Sequence, residues 1–364
     1  MGAFVLPDEV RLLGAALVSL LSVWALAPLA IRVATRTAFF DHPVGYKGHS
    51  APTAYLGGAA VIGAFILAAV LFGAGATRFW PILACAVGLA VIGALDDRIA
   101  VPPLYRVLAA LAAATFMWGQ GLGWTFLDSH FQELVLTSLW VLGFTNALNL
   151  MDNMDGAAST VGAACSAGIA LLAAVEGDVV LAAFALALAG ACGGFLRFNL
   201  RRGEPARIFL GDGGSMPIGL LVAAMTMNLP IADGLGWPLL LVGGLLLGIP
   251  VLDTALVIVS RTRRRISLLT GGRDHLTHRL HAKLSSPRSV ALVLALLQAA
   301  VSVLAVGVIQ LGRTEIIAAA LGCLALAAGV IAVLETPGWL PVQGPEQSER
   351  LIRARERPAA ESSG

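Results

Sequence analysis

The chain has 364 residues, of which 58% are hydrophobic and only 13% charged, with a mean hydropathy of +0.84 and a net charge of +2. A soluble domain carries about 25% charged residues, so a water-soluble globular protein is excluded. The apolar runs are continuous rather than alternating, which excludes a membrane β-barrel and leaves an all-α integral membrane protein. Nothing in this balance points to nucleic acid. A span needs about 20 apolar residues, so the length accommodates about eleven transmembrane helices with short connections. Cys85, Cys165, Cys192 and Cys323 all lie inside apolar runs without a CxxC pair, and read as buried thiols.

In chain order, spans are expected at 12–34, 56–71, 81–95, 104–118, 131–148, 157–175, 179–196, 215–229, 239–260, 290–311 and 316–334. The first is too long for a signal-peptide core and is preceded by Asp8 and Glu9 rather than by basic residues, so it is expected to remain as a span. Gly190 to Gly194 suits close helix–helix approach in a membrane. Residues 1–335 form one polytopic catalytic unit in this reading, and 336–364 a polar, disordered tail. Alternating the connections between two sides puts nearly all the basic charge on one of them. Of 24 Lys and Arg, only Arg11, Arg78 and Arg313 fall on the other. The positive-inside rule makes the basic side cytoplasmic, with the N-terminus outside and the C-terminus inside.

The unusual polar clusters all fall on that same side. The stretch Asn146 to Gly156 reads NALNLMDNMDG at the end of an apolar run. Asn146 and Asn149, like Asp152 and Asp155, have the spacing that shares a helical face. Acidic groups at membrane depth are expensive and usually face a cavity, an ion or a partner. The plain alternative is a polar loop with a Gly stop. The first loop holds Asp41, Lys47, His49 and Gly57-Gly58. Asp96-Asp97 follows an apolar run directly. Two adjacent carboxylates raise each other's cost of ionising, which suits a metal or a cationic partner. Asn199 precedes FLGDGGS, Phe209 to Ser215, whose glycines let backbone N–H groups approach an anion at a helix start. The last loop holds Arg261 to Arg265, read as an anchor at anionic lipid. Beyond it come His275 and His278 beside Arg273 and Arg279, a set that suits phosphate. Hard carboxylate oxygens suit Mg²⁺, and Mg²⁺ with Arg and Lys suits a diphosphate. A transferase between a soluble nucleotide and a lipid fits this inventory. A secondary transporter would place its polar groups near mid-membrane and show a repeat, although Asp253, inside a span, is not explained by these clusters.

DHPxxxKxHxxPTxxLGG at Asp41 to Gly58, Asp96-Asp97, NALNLMDNMDG, FLRFN at Phe195 to Asn199 and FLGDGGS together resemble the polyprenyl-phosphate N-acetylhexosamine-1-phosphate transferases. These are the WecA/TagO branch of the superfamily that also contains MraY. The resemblance implies transfer of a sugar-1-phosphate, N-acetylglucosamine-1-phosphate as the first choice, from a UDP-sugar to polyprenyl phosphate. UMP leaves, and the site lies on the cytoplasmic face of the bacterial inner membrane. It implies Mg²⁺, with Mn²⁺ as a substitute, and leaves a homodimer open. Carried over by motif, Asp212 and Asp97 are metal ligands, and Asp96 assists deprotonation of the lipid phosphate. Asn149, Asp152 and Asp155 contact the nucleotide and sugar phosphate. Phe209 stacks on uracil, Asn199 reaches the diphosphate or metal, Lys47 and His49 approach the donor, and His275 and His278 hold phosphate or sugar. Branch members commonly show HxHH in the last loop, whereas Thr277 stands here where a His is expected. Transfer to the lipid from UDP-N-acetylmuramoyl-pentapeptide, the MraY activity, is the alternative.

Overall fold

The computed structural model describes residues 6–41, 52–73, 77–230, 235–268 and 272–339. Its helices, in chain order, are α1 (Asp8–Thr37), α2 (Gly57–Phe72), α3 (Trp80–Ile99), α4 (Pro103–Gly119), α5 (His130–Met151), α6 (Ala157–Val175), α7 (Val179–Asn199), α8 (Asp212–Met227), α9 (Pro238–Leu246), α10 (Gly248–Arg264), α11 (Leu276–Leu284), α12 (Pro287–Ile309) and α13 (Arg313–Leu334). Seven of the helical segments are long and apolar enough to cross a membrane, and the α9–α10 pair makes an eighth if taken as one span. Large apolar side chains such as Leu13, Leu17, Leu21, Leu296 and Leu326 are exposed, as lipid-facing surfaces require. Cys85, Cys165 and Cys192 are buried free thiols, in keeping with the reading of the sequence, whereas Cys323 is a free thiol that is only half-buried.

The centre of the bundle is α8, in which every residue from Gly213 to Met227 is buried. Helices α2, α3, α5, α6, α7 and α9 all pack on it. Close packing in this fold depends on missing side chains rather than on large ones. A Cβ at Gly93 of α3 would come within 2.3 Å of the Asp212 carbonyl oxygen, so α3 lies backbone to backbone against the start of α8. The expected close approach at Gly190 and Gly194 is present too, against the backbone of α1 at Ala16 and Leu20.

A two-residue hairpin pair, β1 (Phe40–Asp41) and β2 (Thr53–Ala54), runs antiparallel with Phe40 opposite Ala54. Ala54 also bridges Ile208 in parallel. From there the chain before α2 is stitched to the chain before α8. Phe209 N–H donates to Ala54 O at 2.8 Å, Gly57 N–H to Phe209 O at 3.0 Å, and Gly58 N–H to Leu210 O at 2.9 Å. Two loops far apart in sequence thereby become one floor.

Four expectations need correction. The helix expected to end at 95 runs on to Ile99, so Asp96-Asp97 lies within α3 rather than in the connection after it. Asn146 and Asn149 lie on α5 but Asp152 follows its end, so the carboxylates sit on a turn rather than a helical face. The helix expected from residue 215 begins at Asp212. The span expected at 239–260 is bent by 87° between α9 and α10. Gly248 and Pro250 explain the break, since one lacks a side chain and the other lacks an N–H. Backbone groups freed there are taken up by Gln298 of α12. Its amide donates to Leu246 O at 2.8 Å and its carbonyl accepts from Ile249 N–H at 2.9 Å.

Candidate active site

The ends of α3, α4, α5 and α8 converge at one end of the bundle. Asp97 closes the start of α8, its Oδ1 accepting from Asp212 N–H at 3.0 Å and its Oδ2 from Gly213 N–H at 3.2 Å. The anion expected at this helix N-terminus is therefore supplied by the chain itself. Gly211 must be glycine for two reasons. Its φ is +69°, and a Cβ there would lie 2.4 Å from Asp97 Oδ2.

Asp212, the first residue of α8, is gripped on both carboxylate oxygens. Asn149 Nδ2 donates to Oδ1 at 2.7 Å, and Arg106 Nη1 donates to Oδ2 at 2.6 Å. The same Arg106 nitrogen also donates to Asp96 Oδ2 at 2.9 Å. Asn149 further reaches Ser215 Oγ at 3.1 Å. One guanidinium and one amide thus join α3, α4, α5 and α8 around three carboxylates. Arg106 was missed from the sequence. Pro102-Pro103 announces the start of α4, but nothing at sequence level directs a lone arginine in its first turns back to Asp96.

Asp152 sits half-buried beyond α5. Burial, then the nearby charges of Asp212 and Asp97, push its carboxyl well above the usual carboxylate range, offset in part by a hydrogen bond from Gly211 N–H. Asp155 lies within electrostatic reach of it. The cluster therefore holds more negative charge than Arg106 neutralises. Among the described residues no three His, Cys, Asp or Glu side chains are disposed to hold a metal ion. The donor chemistry nevertheless fits a hard divalent cation, since the ligands are carboxylate oxygens and the surplus charge is negative.

An apolar groove of about 200 Å³ runs between α2 and α3 to the same spot. Gly58, Ile62, Val87, Val91 and Ala94 line it, and Asp97 stands at its end. Val87 and Val91 are exposed on the outer surface of α3, so the groove opens sideways toward lipid.

The remaining candidates divide. Phe209 is partly exposed beside this floor, its ring 6.3 Å from that of Tyr55. Asn199 is 4% exposed and ties two backbone segments together. It accepts from Gly156 N–H at 2.6 Å and donates to Ile208 O at 3.0 Å. Both ends of its amide therefore hold backbone. Asn146 likewise bonds backbone, at Leu142 O. Lys47 and His49 lie outside the described residues.

In the last loop, His275 precedes α11 and His278 lies in its first turn, their rings 6.4 Å apart. Thr277, where a His was expected, donates to Asn153 Oδ1 at 2.6 Å and so ties α11 to the turn carrying Asp152 and Asp155. Burial, then His275 and Arg273, lower the His278 pKa to about 4. The basic run is partly spent on structure. Arg261 and Arg264 bond Asp274 at 2.9 and 2.6 Å, and hold its carboxyl below the usual range although burial opposes this. Arg279, expected near phosphate, is fully buried on Ser260, Glu335 and the Leu334 carbonyl.

Residues 79–229 match glycosyl transferase family 4. The chain is 29% identical over 300 residues to a probable undecaprenyl-phosphate N-acetylglucosaminyl 1-phosphate transferase of Bacillus subtilis, covering 79% of this chain and 82% of that protein. It is 31% identical over 332 residues to the decaprenyl-phosphate N-acetylglucosaminephosphotransferase of Mycobacterium tuberculosis, covering 80% and 81%. A phospho-N-acetylmuramoyl-pentapeptide-transferase of Synechococcus is 34% identical over 218 residues, covering 54% of this chain and 58% of that protein. The matched region 79–229 contains Asp96, Asp97, Arg106, Asn149, Asp152 and Asp212, the residues that converge on the floor of the site. The chain belongs to glycosyl transferase family 4, in the branch of the polyprenyl-phosphate N-acetylhexosamine-1-phosphate transferases.

Proposed function

We propose that the chain transfers N-acetylglucosamine-1-phosphate from UDP-N-acetylglucosamine to polyprenyl phosphate and releases UMP. The observation that carries this is the junction of an acidic, Arg-bridged floor with an apolar groove ending at Asp97. A lipid phosphate and a nucleotide diphosphate need such a junction to meet. Relatives named for transfer of N-acetylglucosamine phosphate match over up to about four-fifths of the chain, and those named for the muramoyl-pentapeptide over about half to two-thirds. The smaller donor is therefore preferred.

In this reading residues 1–335 form the catalytic unit and the remaining tail is accessory. The spans are α1 to α8, the broken α9–α10 pair, α12 and α13, which makes eleven, with the N-terminus outside. The charge asymmetry of the connections supports a cytoplasmic site in the bacterial inner membrane.

A phosphate monoester has a second pKa near 6, so the lipid phosphate is mostly dianionic at cytoplasmic pH. Positioning and charge neutralisation then matter more than a general base. Asp97 and Asp212 would hold Mg²⁺, or Mn²⁺ in its place. When bound, the ion neutralises diphosphate charge and the leaving UMP. Arg106 offers a guanidinium to phosphate at the mouth of the groove, and Asp96, paired with it, positions it and takes up any residual proton of the acceptor. Asn149 fixes the Asp212 carboxylate. Asp152 and Asp155 contact the sugar phosphate, Phe209 the uracil, and His275 and His278 the phosphate or sugar of the donor, while Lys47 and His49 keep the donor-binding role that the resemblance implies. The lipid phosphate attacks the sugar-bearing β-phosphorus directly. The bond from that phosphorus to the bridging oxygen breaks, and UMP departs with the oxygen. The test is purified protein with UDP-[¹⁴C]GlcNAc, Mg²⁺ and polyprenyl phosphate. Label should pass into the organic phase and stay behind in Asp212→Asn. No transfer by wild type, with transfer from the muramoyl-pentapeptide donor instead, would reverse the choice of sugar.

A further inference from the structure

Asp253 belongs to none of the clusters above. It lies within α10, in the second half of the broken span, with a side chain 1% exposed. A carboxylate so placed needs partners, and it has two. Oδ1 accepts the backbone N–H of Leu276 at 2.7 Å, at the first residue of α11. Oδ2 lies 2.8 Å from Nδ1 of His275, whose own side chain is 4% exposed. One acid on a membrane helix therefore caps the last-loop helix and holds the ring that precedes it. His278, beside this pair, feels the charges of His275, Arg273, Asp253 and His281. Asp274, next in sequence, is already committed to Arg261 and Arg264.

A carboxylate on one ring nitrogen of a histidine settles which nitrogen carries the proton and which way the ring faces. Here the carboxylate can only accept, so the proton sits on Nδ1 and Nε2 is the nitrogen left for a ligand. Among the described residues no carboxylate bonds a ring nitrogen of His278, so the two histidines are not equivalent. The Thr277–Asn153 bond brings the same first turn of α11 against the Asp152–Asp155 turn.

We propose that Asp253 is a positioning residue that fixes the tautomer and orientation of His275, so that His275 meets the nucleotide-sugar donor through Nε2. This rests on the function proposed above and assigns a role to an acid outside the family's acidic motifs. Asp253→Asn separates positioning from capping. The asparagine oxygen still accepts from Leu276 N–H, but its NH₂ then faces Nδ1 and forces the proton to Nε2. For a metal-bound histidine, loss of such an orienting partner costs about ten- to a hundredfold, and the same scale is expected here.

The experiment uses the full chain in nanodiscs with UDP-GlcNAc as the probe. In ¹⁵N-histidine spectra, the wild type should show His275, assigned by its loss in His275→Gln, protonated on Nδ1, and Asp253→Asn should shift the proton to Nε2. The KM for UDP-GlcNAc should rise at least tenfold in Asp253→Asn with a smaller change in kcat. The double variant Asp253→Asn/His275→Gln should be no worse than His275→Gln alone. Multiplying effects in the double variant, or an unshifted ¹⁵N signature with a wild-type KM, would overturn the positioning role. If Asp253→Asn does not fold, the wild-type spectrum decides, since a proton on Nε2 alone refutes the proposal. Wild-type protein that binds no UDP-GlcNAc would overturn the functional reading itself, whatever the spectrum shows.

Discussion

Arg106 offers the sharpest test of the active site, because one nitrogen of one side chain bridges two carboxylates. Arg106→Gln removes the bonds of 2.9 Å to Asp96 and 2.6 Å to Asp212 and leaves the two acids facing each other. A hydrogen bond to a charged group contributes about 1.5–3 kcal/mol. The Arg106 side chain is 29% exposed, so solvent screening argues for the low end. Two such bonds at about 1.5 kcal/mol each come to about 3 kcal/mol, and with tenfold in rate per 1.36 kcal/mol the loss is on the order of a hundredfold in kcat/KM. Both bonds leave from the same nitrogen, so a single ammonium can replace it. Arg106→Lys should stay within about tenfold of wild type, on the same scale. The assay is initial-rate transfer of [¹⁴C]GlcNAc-1-phosphate to polyprenyl phosphate at saturating Mg²⁺, with a thermal melt of each variant as the folding control. Transfer by Arg106→Gln within threefold of wild type would refute the reasoning and reduce the bridge to a surface ion pair.

Three other outcomes are expected. Because the Asp152 pKa is raised in the fold, the native state binds more protons than the unfolded chain between about pH 4 and that raised value, so this group lowers stability as pH rises through the window. Asp152→Asn should flatten the decline and raise the melting temperature near pH 7.5 without divalent ions, while cutting transfer at least about tenfold if it faces the sugar phosphate. An unchanged pH–stability curve would contradict its burial among charges. His278, with a pKa of about 4, is a neutral ring at pH 7, so His278→Gln should keep more activity than His278→Ala, and equal losses would argue for an imidazolium. Finally, a cysteine replacing Ser285, just after α11, should resist impermeant thiol reagents in intact cells, and one replacing Ser129, just before α5, should react. The opposite pattern would invert the membrane orientation.

The sequence reveals most about this protein where membrane physics leaves few choices. Continuous apolar runs located most of the helices within a few residues, because a backbone in lipid must satisfy its own hydrogen bonds. Acidic and Gly-rich clusters at the ends of those runs stood out for the same reason. Less legible was what each polar group spends itself on. Asn199 and Asp212 look alike as motif members, yet one staples Gly156 to Ile208 while the other faces Arg106 and Asn149. The difference arises from the crossing of α7 with the chain before α8, which no local pattern encodes. Arg106 was invisible because its partners are 10 and 106 residues away. The break between α9 and α10 did have a signal, in Gly248 and Pro250, that the apolar run concealed. Asp253 was conspicuous from the outset, but its partner became apparent only when α11 was seen folded back onto α10.

The bridge made by Gln298 bears on how such a chain is built into a membrane. When helices enter the bilayer in order of synthesis, the bent α9–α10 span arrives before the residue that satisfies its freed carbonyl and N–H. Bare backbone groups cost several kcal/mol each in hydrocarbon. Until α12 is inserted, therefore, the bend is better accommodated as a straight helix or held at the interface by the insertion machinery. The 87° break would then be set late, once ribosomal synthesis has passed residue 298.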